Sequence, residues 1–388
     1  MTLSLAIASA ALSIWLYLVL ARGAFWRASV RDDREPVPEP HSWPGLAVVM
    51  PARDEAAVIA ESLRSLFNQD YPGRFSVILV DDQSRDGTVE VATRSAASAA
   101  ATHRLTLLSG QVLPVGWSGK VWAMKQGIDH AQSAPESSEY LLLTDADIAF
   151  SNDALRRLVA RANAGRYVLT SLMVKLRCES LPERGLIPAF VFFFQMLYPF
   201  SWVNQPDGKT AAAAGGCMLV RRDALQAAGG VEAIGGSLVD DCALATNLKA
   251  IGPIWLGLTQ SARSLRSYPR FRDLRRMISR SAYYQLRYSP LLLLATVAGM
   301  ALTYLAPPLL VLFGTGLPRA FGAVAWVLMA AAFQPMLRFY RVSPLWGVAL
   351  PMIACVYMAF TVDSAYQHLR GRGGLWKGRV QTSTSGTR

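Results

Sequence analysis

Residues 141–147 read L-L-L-T-D-A-D, an apolar run that ends abruptly at two carboxylates separated by one residue. The pattern predicts a buried strand whose carboxyl end carries Asp145 and Asp147. Because side chains alternate along a strand, both carboxylates would project to the same side and could converge on one divalent cation. Oxygen ligands of this kind suit Mg²⁺ or Mn²⁺. An isolated pair could also open a turn or cap a helix, so the surrounding sequence decides its meaning.

The chain of 388 residues is 52% hydrophobic and 17% charged. This composition is too apolar for an ordinary soluble enzyme and too polar for a pure membrane bundle, so we predict a soluble domain joined to several membrane spans. The formal charge of +12 is concentrated beside apolar segments, which favours an anionic membrane surface over nucleic acid as a partner. The four cysteines lack paired or metal-type spacing, so neither a disulfide framework nor a zinc site is indicated.

Residues 46–147 alternate short apolar runs with helix-like segments, which is typical of an open α/β sheet with a largely parallel core. Ligands of such sheets bind at the carboxyl ends of the strands. Acidic motifs follow three of the predicted strands: P-A-R-D-E at 51–55, D-D-Q-S-R-D-G-T at 81–88 and T-D-A-D at 144–147. Helix capping alone does not readily explain acidic residues at the carboxyl ends of three strands. We therefore expect one acidic site at the carboxyl edge of the sheet.

These motifs, followed by L-V-D-D-C-A-L at 238–244, resemble the nucleotide-sugar glycosyltransferases of family 2, which have the GT-A fold. Over nearly the whole chain the sequence is more closely similar to the hopanoid-biosynthesis-associated membrane glycosyltransferases. Ceramide glucosyltransferases are more distantly similar and share the order of the aspartates. The stretches that carry the closer resemblance are G-W-S-G-K-V-W-A-M (116–124), S-L-M-V-K-L-R-C-E-S (171–180), A-F-V-F-F-F-Q-M-L-Y-P-F (189–200), A-A-A-A-G-G-C-M-L-V-R-R (211–222) and G-R-G-G-L-W-K-G-R (371–379).

The resemblance implies donor-binding roles for several residues of this sequence. Asp82 would accept the imide N–H of uracil, and Pro51 and Glu55 would line the nucleotide pocket. Lys120 would face the donor phosphates, and a lysine at a helix start is physically suited to anions.

The resemblance also implies the residues of the reaction itself. Asp145 would meet the ribose and the metal, and Asp147 would be the direct metal ligand. Asp241 matches the general base that deprotonates the acceptor hydroxyl, with Asp240 as the alternative. The chemistry agrees, because a divalent cation stabilises a leaving diphosphate and a hydroxyl nucleophile needs a carboxylate to take its proton. A single base without a covalent intermediate predicts inversion at the anomeric carbon.

Apolar and basic segments predict how the chain meets the membrane. The arginines that follow the first apolar run place the next domain in the cytoplasm by the positive-inside rule. The predicted order is an N-terminal transmembrane helix (1–24), a cytoplasmic GT-A domain (40–262), a basic amphipathic helix on anionic lipid (263–289), a C-terminal transmembrane region (290–365) and a polar basic tail (366–388).

Residues 185–203 are apolar and aromatic-rich, and they are nearly long enough to span a membrane. Crossing would put Asp241 on the opposite side from Asp82 and Asp147. We therefore predict an interfacial or re-entrant segment at the mouth of the acceptor site, and a buried core helix of the catalytic domain is the alternative.

Arg280 lies where related synthases carry Q-x-x-R-W, but residues 277–281 read M-I-S-R-S and keep only the arginine. The missing tryptophan puts processive polymer synthesis in doubt. Arg280 could neutralise the donor diphosphate or bind a lipid phosphate, and both alternatives stay open.

The basic tail conflicts with three full spans after residue 289, because the positive-inside rule disfavours a basic tail outside the cell. We predict a cytoplasmic tail, with one of the stretches 290–314, 320–337 and 344–363 failing to cross. Pro307 and Pro308 break helical hydrogen bonding and could let the first of these turn back.

The sequence thus predicts a membrane-bound, metal-dependent, inverting glycosyltransferase of the bacterial inner membrane. It would move a single sugar from a UDP-sugar to a lipid acceptor, for which hopanoid-pathway lipids are one candidate. A processive polysaccharide synthase and a non-catalytic membrane scaffold that retains the fold are the alternatives. Intact acidic motifs disfavour the scaffold.

Overall fold

A computed structural model describes residues 2–34, 36–134, 138–371, 375–376 and 379–380. The predicted tail falls mostly outside these residues. The chain divides into two compact units, which we call the sheet unit and the helical unit. The sheet unit comprises Val30–Arg177, Trp202–Ser267 and Leu375–Arg388, and the helical unit comprises Met1–Ser29, Cys178–Ser201 and Tyr268–Gly374.

The strands of the described residues are β1 (Leu46–Ala52), β2 (Phe75–Asp81), β3 (Leu105–Ser109), β4 (Tyr140–Thr144), β5 (Ile148–Phe150), β6 (Leu169–Lys175), β7 (Cys217–Arg221), β8 (Ile254–Ser264), β9 (Leu375–Trp376) and β10 (Arg379–Val380). The last two form a separate antiparallel pair. The first eight form one sheet in the order β3-β2-β1-β4-β7-β6-β8-β5.

The helices of the described residues are α1 (Leu3–Leu20), α2 (Ile59–Phe67), α3 (Thr88–Ser98), α4 (Gly119–Ser133), α5 (Ala154–Ala164), α6 (Leu181–Leu197), α7 (Phe200–Val203), α8 (Arg222–Ala227), α9 (Asp240–Lys249), α10 (Phe271–Ser279), α11 (Ala282–Gln285), α12 (Pro290–Met300), α13 (Ala306–Phe313), α14 (Gly316–Tyr340) and α15 (Leu350–Leu369). Short 3₁₀ segments lie at Phe25–Arg27, Thr102–Arg104, Glu232–Ile234 and Pro344–Gly347, and a π-helical segment lies at Ala301–Leu305.

The four strands β3, β2, β1 and β4 run parallel, which confirms the predicted α/β sheet with a largely parallel core. All residues of β1 and β4 are buried, as expected of central parallel strands covered on both faces. The sheet then becomes mixed, because β7 pairs antiparallel with both β4 and β6. The carboxyl ends of β1, β2 and β4 and the start of β7 consequently meet at one edge of the sheet.

Three helical stretches of the described residues are long and apolar enough to cross a membrane: Leu3–Leu20, Pro290–Phe313 and Gly316–Tyr340. Within the helical unit α1 packs on α13 and α14. Trp15 also anchors α1, because its indole Nε1 donates to the carbonyl of Thr303 at 2.8 Å and its ring meets Tyr304 edge-on at 5.6 Å.

The stretch with two adjacent prolines does not turn back. The chain continues from α12 through the π-helical segment into α13, where Pro307 and Pro308 lie in the first helical turn. Prolines are tolerated at that position, since the N–H groups they lack would have no helical partner there. The predicted stretch 344–363 instead holds a 3₁₀ turn and α15, and α15 is not among the three candidate spans.

Helix α6 occupies the aromatic segment that we predicted to be interfacial or re-entrant. Its residues pack within the helical unit, where Phe192 meets Phe25 and Phe333 and Phe193 meets Tyr357 at ring distances of 4.9–5.2 Å. The Tyr357 hydroxyl also donates to the carbonyl of Leu186 at 2.8 Å. With 17 residues, α6 is not one of the three candidate spans.

The predicted basic amphipathic helix overlaps α10, whose apolar residues are partly covered by protein. Leu274 and Ile278 are buried, and the ring of Phe271 lies 5.2 Å from that of Phe360 on α15. Arg275 and Asp363 of α15 form a two-bond ion pair at 2.6 and 2.9 Å. The remaining arginines of this helix are exposed, and Phe271 is 49% exposed, so the helix presents both charge and apolar surface.

Candidate active site

The loops after β1 and β2 are joined by hydrogen bonds at the carboxyl edge of the sheet. The backbone N–H groups of Asp54 and Glu55 donate to the hydroxyls of Ser84 and Thr88 at 2.9 and 2.8 Å. In return the N–H of Arg85 donates to Asp54 Oδ1 at 2.9 Å. The P-A-R-D-E and D-D-Q-S-R-D-G-T motifs therefore form one rigid structure.

Asp82 lies in this structure with 1% of its surface exposed. The guanidinium of Arg53 donates to the Asp82 backbone carbonyl and lies 3.4 Å from its Oδ2 atom. An arginine within ion-pair distance offsets part of the cost of burying a carboxylate. Pro51 is buried in β1 beside Val80 of β2, and Glu55 follows three residues after the end of that strand.

Asp145 and Asp147 lie in the turn between β4 and β5 rather than on a strand. They meet different cations. Lys120 Nζ lies 2.9 Å from Asp145 Oδ1, whereas Asp147 Oδ2 accepts from Arg266 Nε at 2.9 Å. Strand alternation therefore does not describe their arrangement, although both carboxylates remain at the same edge of the sheet.

Lys120 stands in the first turn of α4, after Ser118, whose hydroxyl accepts from the Val121 N–H at 3.3 Å and caps the helix. Besides Asp145, its ammonium lies 3.3 Å from Asp240 Oδ2. One partly buried cation thus joins the turn after β4 to the start of α9. Burial lowers the pKa of Lys120, but the surrounding carboxylates outweigh burial and raise that pKa above its usual range.

Asp241, next to Asp240 on α9, is held by backbone donors. Its Oδ2 atom accepts from the N–H of Gly215 at 2.9 Å and its Oδ1 atom from the N–H of Cys242 at 2.8 Å. Burial, followed by the negative charge of Asp240, raises the pKa of Asp241 to about 6. A carboxylate has about four acceptor positions, so Asp241 keeps the capacity to accept another proton.

Arg266, just beyond β8, is a site residue that the sequence did not reveal. Its guanidinium binds Asp147 through Nε and both oxygens of Glu55 through one terminal nitrogen, at 2.6 and 2.9 Å. No motif surrounds Arg266 in the sequence. Only the antiparallel pairing of β5 with β8 brings it to Asp147.

A divalent cation needs several oxygen ligands at this edge of the sheet. Among the described residues, no group of three or more His, Cys, Asp or Glu side chains is arranged to hold a metal ion. Asp145 and Asp147 nonetheless supply the carboxylate oxygens that Mg²⁺ and Mn²⁺ prefer. Two carboxylates suffice where water and substrate phosphates complete the shell, so the donor chemistry fits a cation that arrives with a diphosphate.

Arg280 is the one candidate site residue that belongs to the helical unit. It follows the last residue of α10 and is exposed. The eight other candidate residues belong to the sheet unit and lie at or next to its carboxyl edge: Pro51, Glu55, Asp82, Lys120, Asp145, Asp147, Asp240 and Asp241.

The mixed sheet with its parallel half and acidic carboxyl edge defines an α/β fold, in which ligands bind at the carboxyl ends of the strands. Residues 47–229 match the family model "Glycosyl transferase family 2". This stretch is therefore similar to the glycosyltransferases of family 2, and the fold is GT-A, as the sequence predicted. The matched stretch contains β1–β4 with the acidic motifs, whereas Asp240 and Asp241 lie beyond it.

Solved structures support the same fold. The mannosyltransferase PcManGT from Pyrobaculum calidifontis, in complex with GDP-Man and Mn²⁺, is 20% identical, with 95% of this chain and 99% of that chain covered and a TM-score of 0.56. Mannosyl-3-phosphoglycerate synthase from Rubrobacter xylanophilus is 19% identical, with coverages of 68% and 83% and a TM-score of 0.40. The second score is too low to carry an argument, and the first shows the fold alone. No curated protein sequence matches this chain.

Proposed function

We propose that this protein is a membrane-bound, inverting glycosyltransferase that moves a single sugar from a UDP-sugar to a lipid acceptor. The observation that carries this proposal is the bridge made by Lys120 between Asp145 and Asp240. Asp145 belongs to the candidate donor site, and Asp240 stands beside the candidate base Asp241. A transferase needs these two groups of residues in one site, because the donor bond breaks as the acceptor bond forms.

On the donor side, Asp82 would accept the imide N–H of uracil, with Pro51 and Glu55 lining the nucleotide pocket. The rigidity of the two hydrogen-bonded loops supports this role, since a preorganised pocket loses little entropy on binding. Lys120, at the start of α4, would face the diphosphate. Arg280 remains a candidate contact to the donor diphosphate, with a lipid phosphate as the alternative.

Asp147 and Asp145 would hold the divalent cation, Mg²⁺ or Mn²⁺. When bound, the cation supplies charge stabilisation to the departing diphosphate. Asp147→Ala should abolish the metal dependence of UDP binding, measured by calorimetry with and without Mn²⁺. Metal-stimulated UDP binding in Asp147→Ala equal to that of the wild type would contradict this assignment.

Asp241 would take the proton of the acceptor hydroxyl as the oxygen attacks the anomeric carbon. Its raised pKa supports this role, because a base with a pKa nearer the working pH accepts a proton more favourably. Direct attack without a covalent intermediate would invert the anomeric configuration. Lys120 would offset the mutual repulsion of Asp240 and Asp145 while the diphosphate charge develops.

The acceptor is proposed from the membrane character of the chain. Three helical stretches are long and apolar enough to cross a membrane, and a lipid is the substrate that such an enzyme meets most readily. We propose the bacterial inner membrane as the location, with the catalytic domain in the cytoplasm. A lipid of the hopanoid pathway is a candidate acceptor, and this finer point rests on the sequence resemblance.

A donor and acceptor screen tests the proposal. Purified full-length protein would be incubated with a panel of UDP-sugars and GDP-mannose, a membrane lipid extract and Mn²⁺, and the lipids analysed by mass spectrometry. We expect a mass increment of one sugar, from a UDP-sugar. A ladder of increments would indicate a polymer synthase, transfer from GDP-mannose alone would contradict the uracil assignment, and no increment with any donor would favour the scaffold.

A further inference from the structure

The carboxylate of Asp147, which we propose as the metal ligand, is bound by the guanidinium of Arg266. The Nε–Oδ2 distance is 2.9 Å, and the Ser264 hydroxyl lies 3.4 Å from the same oxygen. The side chains of Asp147 and Glu55 are each 11% exposed, and that of Arg266 is 33% exposed. These carboxylates have therefore given up most of their water and depend on the guanidinium for charge balance.

The backbone fixes Arg266 at this place. The carbonyl of Asp147 accepts from the N–H of Leu265 at 2.7 Å, one residue beyond the paired end of β8. Glu55 is fixed as well, through its N–H bond to Thr88. An arginine fork held between two anchored carboxylates forms charge-assisted hydrogen bonds, which are the stronger class.

We propose that Arg266 is a positioning residue that makes binding of the divalent cation depend on the nucleotide. In the ligand-free protein the guanidinium competes with a cation for Asp147 Oδ2, so the metal alone binds weakly. A nucleoside diphosphate offers the guanidinium other anionic oxygens and offers the cation further ligands, so the two enter together. This inference rests on the proposed function and adds to it a coupling between metal binding and nucleotide binding.

Titration of detergent-solubilised full-length protein with Mn²⁺ tests this inference without any turnover. Free Mn²⁺ would be followed by electron paramagnetic resonance, first without nucleotide and then with UDP. In the wild type we expect weak binding alone and much tighter binding with UDP. Arg266→Gln should bind Mn²⁺ alone on the order of tenfold more tightly, because one charge-assisted hydrogen bond no longer has to be broken.

The same variant should lose most of the tightening by UDP. Arg266→Lys keeps the charge but loses the fork, so its Mn²⁺ affinity should lie between those of the wild type and Arg266→Gln. Arg263→Gln is the matched control: Arg263 stands three residues earlier, is paired at 2.7 Å with Glu61 and has a side chain that is 63% exposed. It should bind Mn²⁺ like the wild type.

The outcomes separate this inference from the proposed function. If UDP tightens Mn²⁺ binding equally in the wild type, Arg266→Gln and Arg266→Lys, the coupling role is wrong and the metal site stands. If the wild type binds no Mn²⁺ with or without UDP, the proposed metal dependence is wrong and the coupling role is lost with it.

Discussion

The backbone N–H of Gly215 donates a hydrogen bond to Asp241 Oδ2 over 2.9 Å. Gly215 lies two residues before β7, so this bond joins the edge of the sheet to the candidate base on α9. The glycine also leaves room for its neighbours. A Cβ atom at this position would lie 3.2 Å from Lys120 Nζ and 3.3 Å from Asp241 Oδ2, which is tighter than ordinary contact.

Gly215→Ala should therefore displace the ammonium or the carboxylate and lower transfer without unfolding the protein. Misplacing a catalytic group by a fraction of an ångström commonly reduces the rate by about tenfold to a hundredfold. Initial transfer rates and thermal unfolding would be measured side by side. Gly45→Ala is the control, since its added Cβ would meet nothing closer than Ser138 Cα at 3.5 Å. A Gly215→Ala rate equal to that of the wild type would contradict the packing described here.

The pH dependence of transfer should report the raised pKa of Asp241. A base acts in its deprotonated form, so kcat/KM should fall as the pH drops through about 6, rather than through the usual value of 3.8. Asp240→Asn removes one of the charges that raise this pKa, so the acid limb should move to lower pH. Asp129→Asn, on the exposed side of α4, should leave the limb in place. If Asp240→Asn leaves the acid limb in place, Asp240 does not raise the pKa of Asp241. If Asp240→Asn abolishes transfer at every pH, Asp240 is the base instead of Asp241.

Glu183 should stabilise the helical unit, because its buried carboxylate accepts from three backbone N–H groups. The donors are Tyr268 at 2.6 Å, Ser180 at 2.8 Å and Glu179 at 3.0 Å. Glu183→Ala leaves these donors without that partner and should cost about 3 kcal/mol. Thermal unfolding in detergent would measure the loss. Glu179→Ala, which removes an exposed side chain, should cost much less, and equal losses would contradict the role of Glu183.

The stabilisation by Glu183 should depend on pH. Burial raises the pKa of Glu183, but the three N–H bonds outweigh burial and lower the pKa below its ordinary value of 4.5. The stabilisation is therefore complete above about pH 4.5 and is lost as the pH falls through the lowered pKa. The difference in free energy of unfolding between the wild type and Glu183→Ala should therefore become smaller in acid. A difference that grew as the pH fell would contradict the lowered pKa of Glu183.

The topology of the tail can be read from cysteine accessibility. If the three candidate spans all cross, the chain after Tyr340 returns to the side of the catalytic domain, as the basic tail favours. In a cysteine-free background, Thr315→Cys, between two spans, should react with a membrane-impermeant thiol reagent in intact cells. Ser383→Cys in the tail and His130→Cys on α4 should react only after permeabilisation. A tail cysteine that reacts in intact cells would overturn this topology.

The parallel half of the sheet could be predicted from the sequence because its central strands β1 and β4 are buried on both faces and read as continuous apolar runs. The apolar run that precedes Asp145 corresponds to β4, which ends at Thr144. The later strands belong to the mixed half of the sheet, where pairing depends on partners far away in the chain. Arg266 could not be predicted for the same reason, since 119 residues separate it from Asp147.

Local sequence rules also had limits in the helical unit. Pro307 and Pro308 predict a break, but the preceding π-helical segment and their place in a first helical turn let the chain continue. The apolar side of α10 predicts contact with lipid; in the structure Leu274 and Ile278 on that side are buried, whereas Phe271 is 49% exposed. Hydrophobic periodicity shows which face of a helix is buried, and it does not show whether protein or lipid covers that face.

We propose Asp241 as the base of the sugar transfer and other residues of the same site as the ligands of UDP. The most direct test measures transfer and UDP binding on the same preparation of Asp241→Asn, with Asp240→Asn beside it. We predict that Asp241→Asn lowers transfer to lipid by about 10²-fold to 10⁴-fold while UDP binds nearly as tightly as to the wild type. A folded Asp241→Asn protein that transfers sugar at the wild-type rate would contradict the claim.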